Sequence, residues 1–140
     1  MTDPRPCVVF ICVKNAGKSQ MAAALARLYS NGRVIVQSAG TQPGQGLNRA
    51  SEASVAEVGA SFDGEYPKAI DAKLLREANR IIIIGTEAHI EPVEGMTGSI
   101  QRWETVEPSR QGIEGQERMR LIRDDIAQRV QALLAELAMD

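Results

Sequence analysis

The sequence is poor in the residues that build metal and nucleic-acid sites. Among 140 residues it has one histidine, His89, and two cysteines, Cys7 and Cys12. A histidine with no second His or Cys nearby is a poor metal ligand, so His89 reads as a surface or loop residue. Two cysteines without framework spacing give no disulfide scaffold and agree with a reducing compartment. Aromatics make up 4% of the chain and the net charge is −2, which leaves no basic, stacking surface for nucleic acid. No segment approaches the roughly 18 apolar residues of a membrane span, and the opening Met1-Thr2-Asp3-Pro4-Arg5-Pro6 has no apolar stretch of the kind a leader carries. The expectation is a soluble, cytoplasmic monomer with no metal, nucleic acid or membrane among its partners.

What the sequence does have is a core and a regular order. A hydrophobic content of 44% over 140 residues makes one domain, residues 1–140. Apolar β-branched runs alternate with helical patterns, the signature of a parallel sheet covered on both faces. Strands are expected at Cys7 to Ile11, Val34 to Gln37, Ile81 to Ile84 and, more weakly, Ile100 to Trp103. A first helix runs from Gln20 to Tyr29 with Met21, Leu25, Leu28 and Tyr29 on one face and Asn31-Gly32 as its stop. A second runs from about Ala50 to Val58, with Gly59 ending it. A third starts at Asp71 as N-cap, with Ile70 and Leu75 spaced as a hydrophobic staple. The last starts near Glu114 and buries Met119, Ile122, Ile126, Val130, Leu133 and Leu137. Its charges read as a solvated face with pairs such as Arg120 with Asp124. Trp103 reads as core or loop packing. The fold class is therefore α/β, a doubly wound, four-stranded parallel sheet with helices on both faces.

The chemistry concentrates at Cys12 to Ser19, CVKNAGKS, between the first strand and the first helix. A short turn feeding a helix leaves backbone N–H groups without partners, and such a turn binds oxyanions. A thiol at its first residue feels those donors together with Lys14 and Lys18, and both effects favour a nucleophilic thiolate. Ser19 adds a hydroxyl that can stabilise the sulfur. In a doubly wound sheet the ligand sits at the carboxyl ends of the strands, where this turn lies. The same residues resemble the G-x-x-x-x-G-K-S loop of nucleotide triphosphatases, but Cys12 stands where the first Gly is required. The run Ile81 to Ile84 also ends in Gly85 where that class has a magnesium-holding Asp. Cys7 lies five residues back along the same strand, roughly 16 Å away and on the other face. A disulfide needs Cα atoms within about 7 Å, so Cys7 reads as a small buried hydrophobe.

Read as C-x5-K-S, the loop resembles the C-x5-R-S loop of the low-molecular-weight protein tyrosine phosphatase superfamily. It is most similar to the arsenate reductase branch, and CVKNAGKSQMAAAL resembles the mycothiol-coupled reductases. Ser38-Ala39-Gly40-Thr41 with Pro43, Gly44 and Asn48, then Tyr66-Pro67-Lys68, Ala78-Asn79-Arg80-Ile81-Ile82 and Ile122 to Ile126 with Arg129-Val130 follow in the superfamily's order. The resemblance implies Cys12 as nucleophile. It also implies an oxyanion loop of Val13, Lys14, Asn15, Ala16, Gly17, Lys18 and Ser19, with Asn15 tolerating left-handed backbone. Lys18 stands where the superfamily usually has Arg, a point charge in place of a two-pronged fork. Glu107-Pro108 stands where its phosphatases have an acidic Asp-Pro, which makes Glu107 a candidate general acid on condition that its pKa rises by about two units. No cysteine lies between Gly85 and Ile100, where some reductases of this fold keep their second thiol.

The implied activity is arsenate reduction for arsenic detoxification. Cys12 takes arsenate, for which phosphate or sulfate would be site analogues, and passes the arsenic to mycothiol or another low-molecular-weight thiol as co-substrate. A mycoredoxin or glutaredoxin-like protein completes the reduction. The alternatives are a phosphomonoesterase of the same fold, which the lack of aromatics in Thr41 to Leu47 disfavours for phosphotyrosine, and a non-catalytic oxyanion-binding regulatory domain.

Overall fold

The computed structural model describes residues 3–139. Its centre is a four-stranded parallel sheet in the order β2-β1-β3-β4, with β1 at Cys7–Cys12, β2 at Ile35–Gly40, β3 at Arg80–Ile84 and β4 at Ser99–Trp103. Helix α1 is Lys18–Ser30, α2 Arg49–Ala56, α3 Ala72–Glu77 and α4 Gly115–Met139, with a short 3-10 helix at Pro108–Gln111. Parallel strands with both faces covered read as unbroken apolar runs, and Val8 to Ile11 and Ile81 to Ile84 are all buried.

Alternation along β1 divides the core. Val8 and Phe10 face the layer of α1, α2 and α4, where Phe10 and Trp103 meet at ring centroids 5.8 Å apart. Cys7, Val9 and Ile11 face the smaller layer that contains Leu75 of α3. The chain leaves β1 for β2 on one side and later returns to β3 on the other, so the carboxyl end of β1 is the switch point of the sheet. Cys12 is the last residue of that strand.

Local signals account for most boundaries. Asn31 (φ 52°) and Gly32 (φ 83°) take the left-handed backbone that ends α1. Asp71 caps α3 by accepting from the Leu74 N–H at 2.7 Å, and Ile70 and Leu75 share one apolar cluster as the staple spacing requires. The apolar stripe of α4 is buried from Met119 to Leu133, with Leu137 packed at its edge.

Two expectations fail for tertiary reasons. Leu28 and Tyr29 are exposed, because α1 buries its alanines Ala22, Ala23, Ala24 and Ala26 against the sheet and the neighbouring helices. Arg120 does not pair with Asp124. It reaches across to Glu57 next to α2 at 2.7 Å, where Arg123 joins it, while Asp124 pairs with Arg123. Among the described residues no helix is long and apolar enough to cross a membrane.

Ile126 is fully buried at the middle of the α4 stripe and far in sequence from the loop after β1. Ile126→Ala is expected to lower unfolding stability by about 2–5 kcal/mol while leaving phosphate binding in the folded protein unchanged. Denaturant unfolding and calorimetric titration check this, and a loss under about 1 kcal/mol would contradict the packing described.

Candidate active site

The loop after β1 is shaped by where its carbonyls go. Six consecutive carbonyls, Cys12 to Gly17, each accept a hydrogen bond. The donors are the amides of Thr41, Gln42 and Gly44 to residues 12, 13 and 14, the Gln20 side chain to 15, and the amides of Asn48 and Met21 to 16 and 17, at 2.8–3.1 Å. With the carbonyls turned outward, the amides of Val13, Lys14, Ala16, Gly17 and Lys18 donate to no acceptor among the described residues. They add to the unpaired donors at the start of α1, where Gly17 caps the helix without a side-chain bond. This is a backbone cradle of the kind that can hold an oxyanion.

Asn15 makes the turn possible. It is fully buried with φ 53°, a left-handed backbone that asparagine tolerates. Its Oδ1 accepts from the Lys68 N–H at 2.9 Å and from Gln20 Nε2 at 3.2 Å, and its Nδ2 donates to Ser19 Oγ at 2.7 Å. Because Ser19 Oγ accepts there, its proton is free to point at Cys12 Sγ, 2.9 Å away. The Asn15 N–H adds a second contact to Sγ at 3.2 Å. Two donors therefore converge on the sulfur, which is what a sulfur anion needs. Gly40 lets β2 approach this turn, since a Cβ there would stand 2.6 Å from the Val13 oxygen and 2.9 Å from the Asn15 nitrogen.

Cys12 opens into a cavity of about 390 Å³ whose walls include Val13, Lys18, Gly85, Thr105, Glu107 and Arg110. Of the two loop lysines, Lys18 lines this cavity. Lys14 is exposed, its side chain lying beside Gly44, and it contributes to the cradle through its amide. Ala16 and Gly17 are half-buried and contribute backbone only. A larger cavity, about 810 Å³, opens at the other end of the sheet by Pro6, Cys7, Glu77 and Asn79, away from the cradle. The Cys7 thiol there is pushed up by burial and by the Glu77 charge, and both cysteines are free.

Glu107 does not meet the condition set for a general acid. Arg118 of α4 grips both carboxylate oxygens, Nε to Oε2 at 2.7 Å and Nη2 to Oε1 at 2.8 Å, and the Ser109 hydroxyl donates to Oε2 at 2.8 Å. The Arg118 hydrogen bonds, with help from Ser109, hold the carboxyl down at about 2, opposite to the rise an acid requires. The segment carrying it is tied to α4 twice more, by Val106 N–H to Asp125 and by Arg129 to the Glu104 carbonyl. Gln20 and Arg118 were not singled out in the sequence. Gln20 reads there as an ordinary first-turn residue, and Arg118 as part of a charged helix face.

A strand end that presents a thiol to inward-facing backbone amides, with a cation in the cavity wall, is the arrangement suited to one class of chemistry, that of a cysteine nucleophile acting on tetrahedral oxyanions. The chain belongs to the low molecular weight phosphotyrosine protein phosphatase family, whose profile matches residues 7–140. It is 28% identical to the arsenate reductase of Bacillus subtilis over 88% of this chain and 91% of that one. It is 26% identical to the glutaredoxin arsenate reductase of Synechocystis sp., covering 94% and 98%. The thioredoxin-dependent arsenate reductase of Corynebacterium glutamicum superposes with a TM-score of 0.82 at 27% identity. There this chain is covered to 99% but spans only 65% of that protein's length.

Ser19→Ala removes one of the two donors to Cys12, and a hydrogen bond to a charged group is worth about 1.5–3 kcal/mol. Alkylation of Cys12 by iodoacetamide at fixed pH is expected to slow roughly 10- to 100-fold. An unchanged rate would mean that the hydroxyl does not serve the sulfur. Acid acts on the other wall. The Glu107 carboxyl titrates below its ordinary value of 4.5, so the anchoring is complete above 4.5 and is lost as pH falls through about 2. Amide-exchange protection of residues 106–112 should fade in that window, and Glu107→Gln should lack the step. Constant protection down to pH 2 would contradict the pairing.

Proposed function

We propose that this protein is an arsenate reductase working with one protein thiol, an arsenate–mycothiol transferase of the cytoplasm that detoxifies arsenic. The observation that carries this reading is that Cys12 is the sole thiol of the cavity, while Cys7 sits at the far end of β1 in the opposite core layer. Reduction through such a site needs an outside thiol, and the similarity to proteins named arsenate reductases supplies the substrate.

The chemistry balances as follows. The Cys12 sulfur attacks arsenic, an S–As bond forms, and one arsenate oxygen leaves as water. That oxygen is a hydroxyl, and a second proton already on arsenate completes the water, so no protein acid is required. A phosphomonoester's leaving oxygen carries no proton of its own and needs a donor. With Glu107 held ionised by Arg118, the site favours the oxyanion that brings its own protons. Mycothiol then attacks arsenic, the S–As bond to Cys12 breaks, and an arsenic(V)–mycothiol adduct leaves with no electron yet transferred. Reduction happens when a mycoredoxin or glutaredoxin-like thiol attacks the mycothiol sulfur. A mixed disulfide forms as arsenic departs as As(III). Lys18 steadies the anion as a point charge.

Arsenate turnover is to be compared with mycothiol plus a mycoredoxin, glutathione plus a glutaredoxin, and thioredoxin. Activity is expected with the first pair, abolished in Cys12→Ser and retained in Cys7→Ser. Activity with thioredoxin alone that also required Cys7 would overturn the single-thiol reading. Absence of turnover in all three systems would overturn the reductase assignment.

A further inference from the structure

Glu107 stands in the wall of the Cys12 cavity, yet both of its oxygens are occupied from behind by Arg118. Arg118 does not line that cavity. It belongs to a separate groove of about 420 Å³ between α2 and the start of α4, with Ala53, Met119 and Arg120 among its walls. The ion pair is thus the partition between two cavities, half-buried on both sides. The Ser109 N–H and hydroxyl complete the grip on Oε2 at 3.3 and 2.8 Å. The other two carboxylates of the wall, Glu87 and Glu104, are exposed and have no ion-pair partner among the described residues.

We propose that Arg118 keeps the Glu107 carboxylate from donating a proton, so that this site holds a latent phosphomonoesterase activity which Arg118 suppresses. With the pair opened and Glu107 protonated, the Cys12 sulfur attacks phosphorus. The S–P bond forms, the ester P–O bond breaks, and the Glu107 proton goes to the leaving oxygen. Water then attacks the phosphocysteine, gives its proton to the Glu107 carboxylate and releases phosphate as the S–P bond breaks. No electron moves and water is the only co-reactant. Arg118 is a specificity-determining residue acting through Glu107, and it touches no reacting atom. The proposal goes beyond arsenate reduction and does not depend on it, since it requires only that Cys12 is the nucleophile.

The experiment measures hydrolysis of phenyl phosphate, whose leaving group needs a proton, and of p-nitrophenyl phosphate, whose leaving group hardly does, with no thiol added. Arg118→Met is expected to raise phenyl phosphate turnover about 10-fold or more and p-nitrophenyl phosphate turnover far less. The dependence on leaving group therefore flattens. The gain should be lost on adding Glu107→Gln, and both activities should be lost on adding Cys12→Ser. A new basic limb should appear in the pH profile. Lys18 from α1 and Arg110 from the 3-10 helix set its position against Glu87 from the β3–β4 connection and Glu104 from the same segment as Glu107. Arg118→Lys, which keeps the charge but one prong, and Ser109→Ala should give intermediate gains, and serve if Arg118→Met does not fold. An unchanged phenyl phosphate rate in any folded variant, or a gain that survives Glu107→Gln, overturns the proposal. Loss of activity in Cys12→Ser without any Arg118 effect would leave the nucleophile standing and remove only the suppression.

Discussion

The site depends on the outward turning of six carbonyls, Cys12 to Gly17. Backbone polar groups must be paired somewhere, and the way these are paired decides which half of each peptide faces the cavity. Four of the six donors are amides of residues 41–48, the stretch just beyond β2. The register of β2 against β1, Cys7 opposite Ile35 through Cys12 opposite Gly40, places that stretch alongside the loop. The remaining donors come from the first turns of α1, from the Gln20 side chain and the Met21 amide. Sheet register, helix start and loop shape are therefore one constraint. A cradle fixed this way is preorganised, so its donors would not have to reorganise around an anion bound there.

Asn15 couples the constraint to the Cys12 sulfur. Lys68 and Gln20 orient its amide, the amide orients Ser19, and Ser19 is left with a proton for Cys12. Each link removes one rotational choice from the next. The sulfur thus inherits its environment from residue 68 as well as from its own loop. The same reasoning explains the alanines of α1. A helix that must carry the cradle and pack on the sheet and two other helices has room for small side chains on most sides, and Ala22, Ala23, Ala24 and Ala26 are all buried.

What the sequence made legible was local. The strand-turn-helix order around CVKNAGKS, the four strands, the Asn31-Gly32 stop, the Asp71 cap and the α4 stripe all rest on short-range patterns, and they appear where the patterns put them, while the left-handed Asn15 rests on the family resemblance. What it hid was tertiary. Nothing near Glu107 in the chain announces Arg118, eleven residues on, because a charged helix face reads as solvated until the partner carboxylate is placed beside it. Glu57 captures Arg120 from Asp124 for the same reason, being brought to α4 by the packing of α2. Gln20 is invisible in sequence as a clamp because its three acceptors, Asn15 O, Asn15 Oδ1 and Tyr66 O, meet only after folding. The proton-donor assignment to Glu107 failed at this level. The dipeptide was in place, and its electrostatic surroundings reversed the sign of the shift.

The proposed single-thiol chemistry has its most direct measurement in the covalent state of the cysteines during turnover. Intact-mass and peptide analysis of protein quenched by alkylation at successive times with arsenate and thiol present reads both cysteines at once. The account predicts that Cys12 is transiently blocked and then alkylatable again, with no bond between Cys7 and Cys12 at any time. Accumulation of a Cys7–Cys12 disulfide in step with arsenite formation would contradict it, since β1 would have to come apart for the two sulfurs to meet.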